Sequence, residues 1–240
     1  MHVLDDLSGF SERARELLRR TGWRQAGTAF RTPTDFRRVT DRTGRSVPAP
    51  IELVVGREAF HARYGGLHYR VRRSALLGSE RLDVVREWDF DLEDRMQAEE
   101  NGWSFSWIGE HVSTPVRFLV HTDGRVGLSD GGAFIEVASS VVQLIESHAV
   151  MDLVASWDPW PGTLEAWVPS KVGLSAADRI HGLALVTEAS GPCDAWLLSD
   201  HVAVHDFRAW TGERLRLRAV QIWTCGDEGR ERVRRAFHAA

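Results

Sequence analysis

Cysteine is nearly absent from this chain. Cys193 and Cys225 are the only two in 240 residues. That rules out a disulfide-stapled scaffold and suits a reducing compartment. The two thiols lie in one segment and can meet, but spacing alone does not fix a disulfide geometry. Lysine is scarcer still: Lys171 stands alone and arginine carries the rest of the positive charge, a bias that reads as codon usage before physics. The net charge is −4, so the basic balance of a nucleic-acid binder is missing and no direct nucleic-acid partner is expected. No stretch approaches the roughly 18 apolar residues that span a bilayer, so no membrane partner is expected either. The opening MHVLDDLSGFSER has neither the basic region nor the apolar run of a signal peptide. A soluble, cytoplasmic protein is the expectation. Internal repeats and low-complexity segments are lacking as well. What is present is an ordinary globular balance, 43% hydrophobic and 27% charged, which predicts a packed core rather than disorder. The ten tryptophans bring large areas to bury and candidate interface anchors.

The pattern along the chain alternates between helical and strand-like periods. Ser8 or Ser11 can cap a helix running to about Arg20, with Phe10, Ala14, Leu17 and Leu18 as its apolar stripe; Gly22 stops it. Residues 24 to 50, with Pro33, Pro48, Pro50 and a turn at Asp41–Gly44, predict a strand or two and then a loop. Ile51 to Val55 fits either a strand or a helix entry. Phe60 and Tyr64 share a helical face, and Gly65 and Gly66 follow. Leu67, Tyr69 and Val71 then alternate with His68, Arg70 and Arg72, the period of a half-buried strand. The period changes across the two glycines, and Gly65 is the expected left-handed residue that ends the helix. Trp88, Phe90 and Leu92 alternate with Asp89, Asp91 and Glu93. Trp103, Phe105 and Trp107 give a strand with an aromatic face. His121–Gly124 is a hairpin turn between Arg117–Val120 and Val126–Leu128, and Asp130–Gly132 the next turn. Ser139 or Ser140 can cap a helix bearing Val141, Leu144, Ile145, His148 and Met151. Trp157–Gly162 is the best boundary, dividing a domain of residues 1–157 from an extension of residues 158–240. That extension reads as short strands and a last helix over Glu228–Phe237. The class is α+β: a mixed, largely antiparallel sheet flanked by helices, with a β-rich C-terminal extension or second lobe.

Several of these stretches resemble one branch of the SUKH superfamily, bacterial immunity proteins and related interaction domains. Leu17-Leu18-Arg19-Arg20-Thr21-Gly22-Trp23 looks like its "helix, then Gly-Trp" opening. Phe60-His61-Ala62-Arg63-Tyr64-Gly65-Gly66-Leu67 is similar to its Tyr-Gly-Gly-Leu joint. Ile108-Gly109-Glu110, Phe118-Leu119-Val120 and Asp123-Gly124-Arg125-Val126 resemble its later strand and hairpin, and Ala138-Ser139-Ser140-Val141 its closing helix. The set keeps the family's order over residues 15 to 152. Gln25-Ala26-Gly27 lacks the arginine often found there, and residues 158 to 240 lie outside the resemblance. What the resemblance implies is an α+β domain that binds a protein, commonly a toxin, and does no chemistry. Binding surfaces vary in the family, so no site residues carry over.

Read from chemistry alone, two clusters stand out. Asp89, Asp91, Glu93 and Asp94 can hold Mg²⁺ or Ca²⁺, can form the solvated face of an edge strand, or can meet a basic toxin that attacks nucleic acid. His201, His205 and Asp206 offer zinc or iron ligands, set against an ordinary two-faced strand with Val202 and Val204 on its other side. Cys193 with His201 or His205 makes a conceivable thiol–imidazole pair, against a small residue in a turn. No strand-to-helix nucleophile elbow and no phosphate loop is read, and Arg230, Arg232, Arg234 and Arg235 read as a solvated helix face. The leading expectation is therefore a non-enzymatic immunity protein, without cofactor, that occludes a cognate toxin. Asp89, Asp91 and Glu93 would supply charge; Trp88, Trp103 and Trp107 would be anchors if exposed and core if buried. The alternative is a metal-dependent enzyme or metal-binding regulator built on His201, His205 and Asp206.

Overall fold

The computed structural model describes residues 1–25, 38–77, 79–111, 116–129, 134–161, 180–208 and 218–238. It is an α+β chain in two compact units. The first comprises Met1–Arg70 and Arg86–Val141, the second Val71–Val85 and Val142–Ala240. The Trp157–Pro161 run, expected at a domain boundary, thus lies inside the second unit.

In the first unit, α1 (Glu12–Thr21) starts where the Ser11 hydroxyl accepts the Ala14 amide, 3.3 Å away, satisfying one of the free amides of a first turn. Ala14, Leu17 and Leu18 are its buried stripe. After β1 (Trp23–Arg24), a small hairpin of β2 (Arg38–Thr40) and β3 (Ser46–Pro48) turns on the Asp41 carboxylate, which accepts the amides of Thr43 and Arg45. Helix α2 (Ile51–Tyr64) resolves the ambiguity at Ile51: the segment is helical from that residue, directly after Pro50, where a missing amide costs nothing. It buries Leu53, Arg57 and Phe60.

The joint that follows is placed differently from the sequence reading. Gly65 has φ −56°, while the left-handed residue is Gly66, at φ +75°. A Cβ on Gly66 would stand 2.5 Å from the Gln25 carbonyl oxygen. Both conformation and close approach therefore call for glycine at 66.

Beyond the joint run β4 (Leu67–Leu77), β5 (Glu80–Glu99), β6 (Gly102–Glu110), β7 (Arg117–His121), β8 (Val126–Ser129) and β9 (Ile135–Ala138). With β1 they form a seven-stranded sheet in the order β1-β4-β5-β6-β7-β8-β9. The registered pairs β1–β4, β5–β6, β6–β7, β7–β8 and β8–β9 are antiparallel. One face carries an aromatic core. Phe90 and Trp107 rings lie 4.6 Å apart, Phe60 of α2 meets Phe105 edge-on at 5.6 Å, and Trp88 meets Phe118 edge-on at 5.4 Å. Such pairs add about 0.5–1.5 kcal/mol each beyond the area they bury.

In the second unit, helix α3 (Val141–Val154) leads to strands β10 (Asp158–Pro159), β11 (Ala184–Leu185), β12 (Asp194–Leu198), β13 (Val202–Arg208) and β14 (Arg218–Thr224), then helix α4 (Gly226–His238). The sheet order is β10-β14-β13-β12-β11. Its two faces bury different sets. Val150 and Val154 of α3 pack with Trp196, Ala203 and Trp223, and Val233 of α4 packs with Val202, Val204, Val220 and Ile222. β13 is therefore apolar on both sides, as the centre of a covered sheet must be. The distal part of the β4–β5 hairpin belongs to this unit: Arg72 clamps the buried Asp152 carboxylate (Nη2 to Oδ2, 2.8 Å), and Trp223 donates to the Ser74 hydroxyl at 3.1 Å. Neither cysteine is in a disulfide; Cys193 is buried and Cys225 half-buried. Among the described residues no helix is long and apolar enough to cross a membrane.

Candidate functional site

Alternation along β4 and β5 sorts their side chains by face. Leu67, Tyr69, Trp88 and Phe90 enter the core. His68 and Arg70, with Glu87, Asp89 and Asp91, belong to the other face. There the polar groups converge. One ring nitrogen of His68 and one carboxylate oxygen each from Asp89 and Asp91 lie within 4.8 Å of one another. Among the described residues this is the one such grouping of three histidine, cysteine or acidic ligands.

Each member is held by backbone. Trp23 pairs with His68 across β1 and β4, and their rings stack at 5.3 Å and 13°. Arg70 covers the far side of the indole, 5.2 Å from its centroid, and reaches Glu87 at 3.3 Å. The Gly66 amide donates to Asp91 Oδ1 at 2.8 Å, and the Asp91 amide to Asp89 Oδ1 at 2.8 Å. Asp89 Oδ2 lies 3.2 Å from His111 Nε2. The His68 residue is only 4% exposed. Its Nδ1 is 4.0 Å from Glu87 and its Nε2 3.8 Å from Asp89. Neither nitrogen has a hydrogen-bond partner.

The acidic row differs from the solvated edge strand of the sequence reading. β5 lies between β4 and β6, not at an edge, and Asp89 is buried. A register shift between Asp89 and Leu92 interrupts the simple alternation. Asp91 and Glu93 are half-buried and Asp94 is exposed. Arg57, itself buried, donates to the Glu93 carbonyl at 2.9 Å and approaches the Asp94 carboxylate at 3.9 Å. Of the tryptophans, Trp88 and Trp107 are wholly buried and serve as core; Trp103 is half-buried, paired with Ala98.

His201, His205 and Asp206 do not assemble. His201 precedes β13 and faces Glu228 of α4 at 3.3 Å. His205 pairs through Nε2 with the Asp194 carboxylate, its ring sandwiched between Trp196 at 3.9 Å and Phe207 at 4.5 Å. Asp206, next along the strand, belongs to the opposite face. His148 of α3 is fully buried, and burial first, then the charges of Arg73 and His205, hold its imidazole well below the usual range. Gly127-Leu128-Ser129-Asp130-Gly131 has the spacing of a nucleophile elbow. Yet Ser129 ends β8, and the next element among the described residues is the strand β9 rather than a helix; Asp130 and Gly131 lie outside the described residues.

His68 and His111 were the members that sequence reasoning passed over. Their local signal is slight: His68 shares parity with Arg70 on β4, and only the β4–β5 pairing carries it to Asp89. No protein-family model, curated protein or solved structure matches this chain.

Proposed function

We propose that the protein is a non-catalytic binding protein of the SUKH immunity type, acting in the cytoplasm by occluding a basic toxin. The observation that carries this reading is the run of carboxylates along β5 as it emerges from burial: Asp91 and Glu93 half-buried, Asp94 85% exposed at its side chain. Such a graded acidic strip suits a partner that presents arginine or lysine to nucleic acid, because the same cations would be neutralised on docking. The motif order adds support. The Tyr-Gly-Gly-Leu stretch sits at the α2–β4 joint, and Asp-Gly-Arg-Val turns β7 into β8.

With Trp88 and Trp107 in the core, the reading rests on charge and on backbone shape, not on those anchors. The test is co-expression with the product of the neighbouring coding sequence, which on this reading is a toxin. Protection of growth and a complex on size exclusion are expected. Glu93→Lys with Asp94→Lys should weaken that complex at least tenfold while the melting temperature holds, since charge partners at an interface couple by about 1.5–7 kcal/mol. Absence of both protection and complex would overturn the proposal. An affinity indifferent to the charge reversal would move the interface off β5.

A further inference from the structure

We infer that His68, Asp89 and Asp91 form a binding site for one divalent first-row transition ion, with His111 as a fourth ligand. The inference goes beyond the toxin-binding reading and does not rest on it.

The fold buries two polar groups here that water would otherwise stabilise. Asp89 is 5% exposed, and a carboxylate removed from water must be compensated by charge or hydrogen bonds. It receives one amide, from Asp91, and the basic side chains nearest it are two imidazoles, His111 at 3.2 Å and His68 at 3.8 Å. His68 is equally costly. It is 4% exposed, and both its nitrogens lack a hydrogen-bond partner while facing carboxylates. A buried polar ring facing acidic oxygens, yet too far to bond them, leaves a gap that an ion can bridge.

The orientation is that of a metal site. Each carboxylate accepts one backbone amide, Gly66 to Asp91 Oδ1 and Asp91 to Asp89 Oδ1, which fixes its plane, and the second Asp89 oxygen, Oδ2, faces His111 Nε2 at 3.2 Å. The His68 ring is fixed by stacking on Trp23. Partners of this kind orient first ligands and raise metal affinity. Ligands about 2.0–2.2 Å from a shared ion stand roughly 3.0–3.5 Å apart, so the group, within 4.8 Å at present, closes around the ion by up to about 1.3–1.8 Å. His111 is half exposed at its side chain and can turn in without disturbing the core.

The donor set selects the metal. Two imidazole nitrogens and two carboxylate oxygens suit Zn²⁺, Mn²⁺ or Fe²⁺, whereas Ca²⁺ and Mg²⁺ take oxygen throughout. A site for them would be indifferent to His68.

The full chain, treated with chelator and freed of it, is titrated calorimetrically with Zn²⁺ and, separately, Mn²⁺ and Mg²⁺. One Zn²⁺ or Mn²⁺ per chain is expected, with Mg²⁺ at least tenfold weaker. His68→Gln and Asp91→Asn should each weaken the ion a hundredfold or more, and His111→Gln about tenfold. His201→Gln, remote in sequence and paired with Glu228, should leave the titration unchanged. Should His68→Gln fail to fold, Asp91→Asn and His111→Gln carry the test, with circular dichroism to show native structure. A titration without a saturable single site, or one unchanged in folded Asp91→Asn and His111→Gln, overturns the assignment and leaves His68 as an imidazole caged by carboxylates.

Discussion

Replacing Gly66 by alanine tests the joint on which the first unit turns. Two costs follow from its geometry. At φ +75° an alanine pays about 1–2 kcal/mol for the left-handed conformation. Its Cβ would also stand 2.5 Å from the Gln25 carbonyl oxygen, where ordinary carbon–oxygen contacts lie near about 3.3 Å. That carbonyl must retreat by about 0.8 Å. The retreat strains the Gln25 amide bond to the Gly66 carbonyl, 2.8 Å long and worth about 0.5–1.5 kcal/mol. Together these come to about 1.5–3.5 kcal/mol, or about 3–14 °C in melting temperature at 2–4 °C per kcal/mol for a chain of this size. Differential scanning calorimetry reads the shift directly. Gly66→Asn separates the two costs: it keeps the contact but tolerates positive φ better, so it should recover about 0.5–1 kcal/mol. A Gly66→Ala protein that melts within a degree of the parent would refute the reasoning, because neither the conformation nor the contact would then be real.

Three further outcomes follow from the same structure. Arg72→Ala removes the side-chain bonds to Asp152 at 2.8 and 3.1 Å; charge-assisted bonds of this kind carry about 1.5–3 kcal/mol, so the urea midpoint should fall accordingly, and an unchanged midpoint would mean that the clamp is ornamental. His148 is kept neutral in the fold, its imidazole lowered by burial above all; the unfolded chain binds the extra proton below about pH 6.5, so stability is full above that pH and declines beneath it by up to about 1.4 kcal/mol per pH unit. His148→Gln should flatten the stability profile between pH 7 and 5, and an identical slope in both proteins would exclude His148 as the cause. Asp123 behaves oppositely in origin: burial pushes it up, but hydrogen bonds from Arg125 and His121 prevail and hold it at about 2. Its contribution is present above the ordinary carboxylate range and disappears as pH falls from about 4 to 2. With the side chain 46% exposed, solvent screening limits that loss to less than about 1 kcal/mol, visible as a shallower acid transition in Asp123→Asn.

The fold was legible wherever a local rule decided it. Ser11 as a cap, the period switch across Gly65–Gly66, the Asp123–Gly124 turn and the alternation of Trp88 and Phe90 against Asp89 and Asp91 all follow from neighbours in sequence. Ile51 was ambiguous because a short apolar run fits two periods, and the helix that Pro50 precedes is fixed by burial of Leu53, Arg57 and Phe60. The division of the chain was harder. Val150 and Val154 pack with Trp196 and Trp223, a contact across many residues, so α3 belongs to the second unit although it precedes the Trp157–Gly162 run. The site was half legible. Asp89 and Asp91 share parity on one strand, and that much is local. His68 reaches them only through the pairing of β4 with β5, and His111 only through the turn of β6. His201 and His205 drew notice because histidines four residues apart on a strand, with Ala203 between them, share a face, yet the strand places His205 against Trp196 and leaves His201 outside it.

The two buried aspartate–histidine pairs show why similar residues carry different meanings. In the second unit His205 spends Nε2 on Asp194 and has both ring faces covered, by Trp196 and Phe207. One carboxylate meets one imidazole, within bonding reach, between aromatic walls. Nε2 is thus taken, and an ion at that atom would first have to break the pair; Nδ1 is buried without a hydrogen-bond partner, but no second carboxylate joins it in a cluster among the described residues. In the first unit His68 is stacked on Trp23, and two carboxylates converge with it at distances too long for hydrogen bonds to the ring. There the protein has fixed the directions of its donors through backbone amides without closing the contacts between them. Gly66 belongs to that arrangement: the residue that lets the chain turn from α2 into β4 also offers the amide that orients Asp91. Moving the Gly66 backbone should therefore disturb metal affinity along with stability, whereas Gly124, at φ +96° in the β7–β8 turn, has no bond to the cluster. Gly124→Ala offers the comparison: it should lower the melting temperature and leave Zn²⁺ affinity intact. A Gly66→Ala protein that binds Zn²⁺ as tightly as the parent would separate the joint from the site.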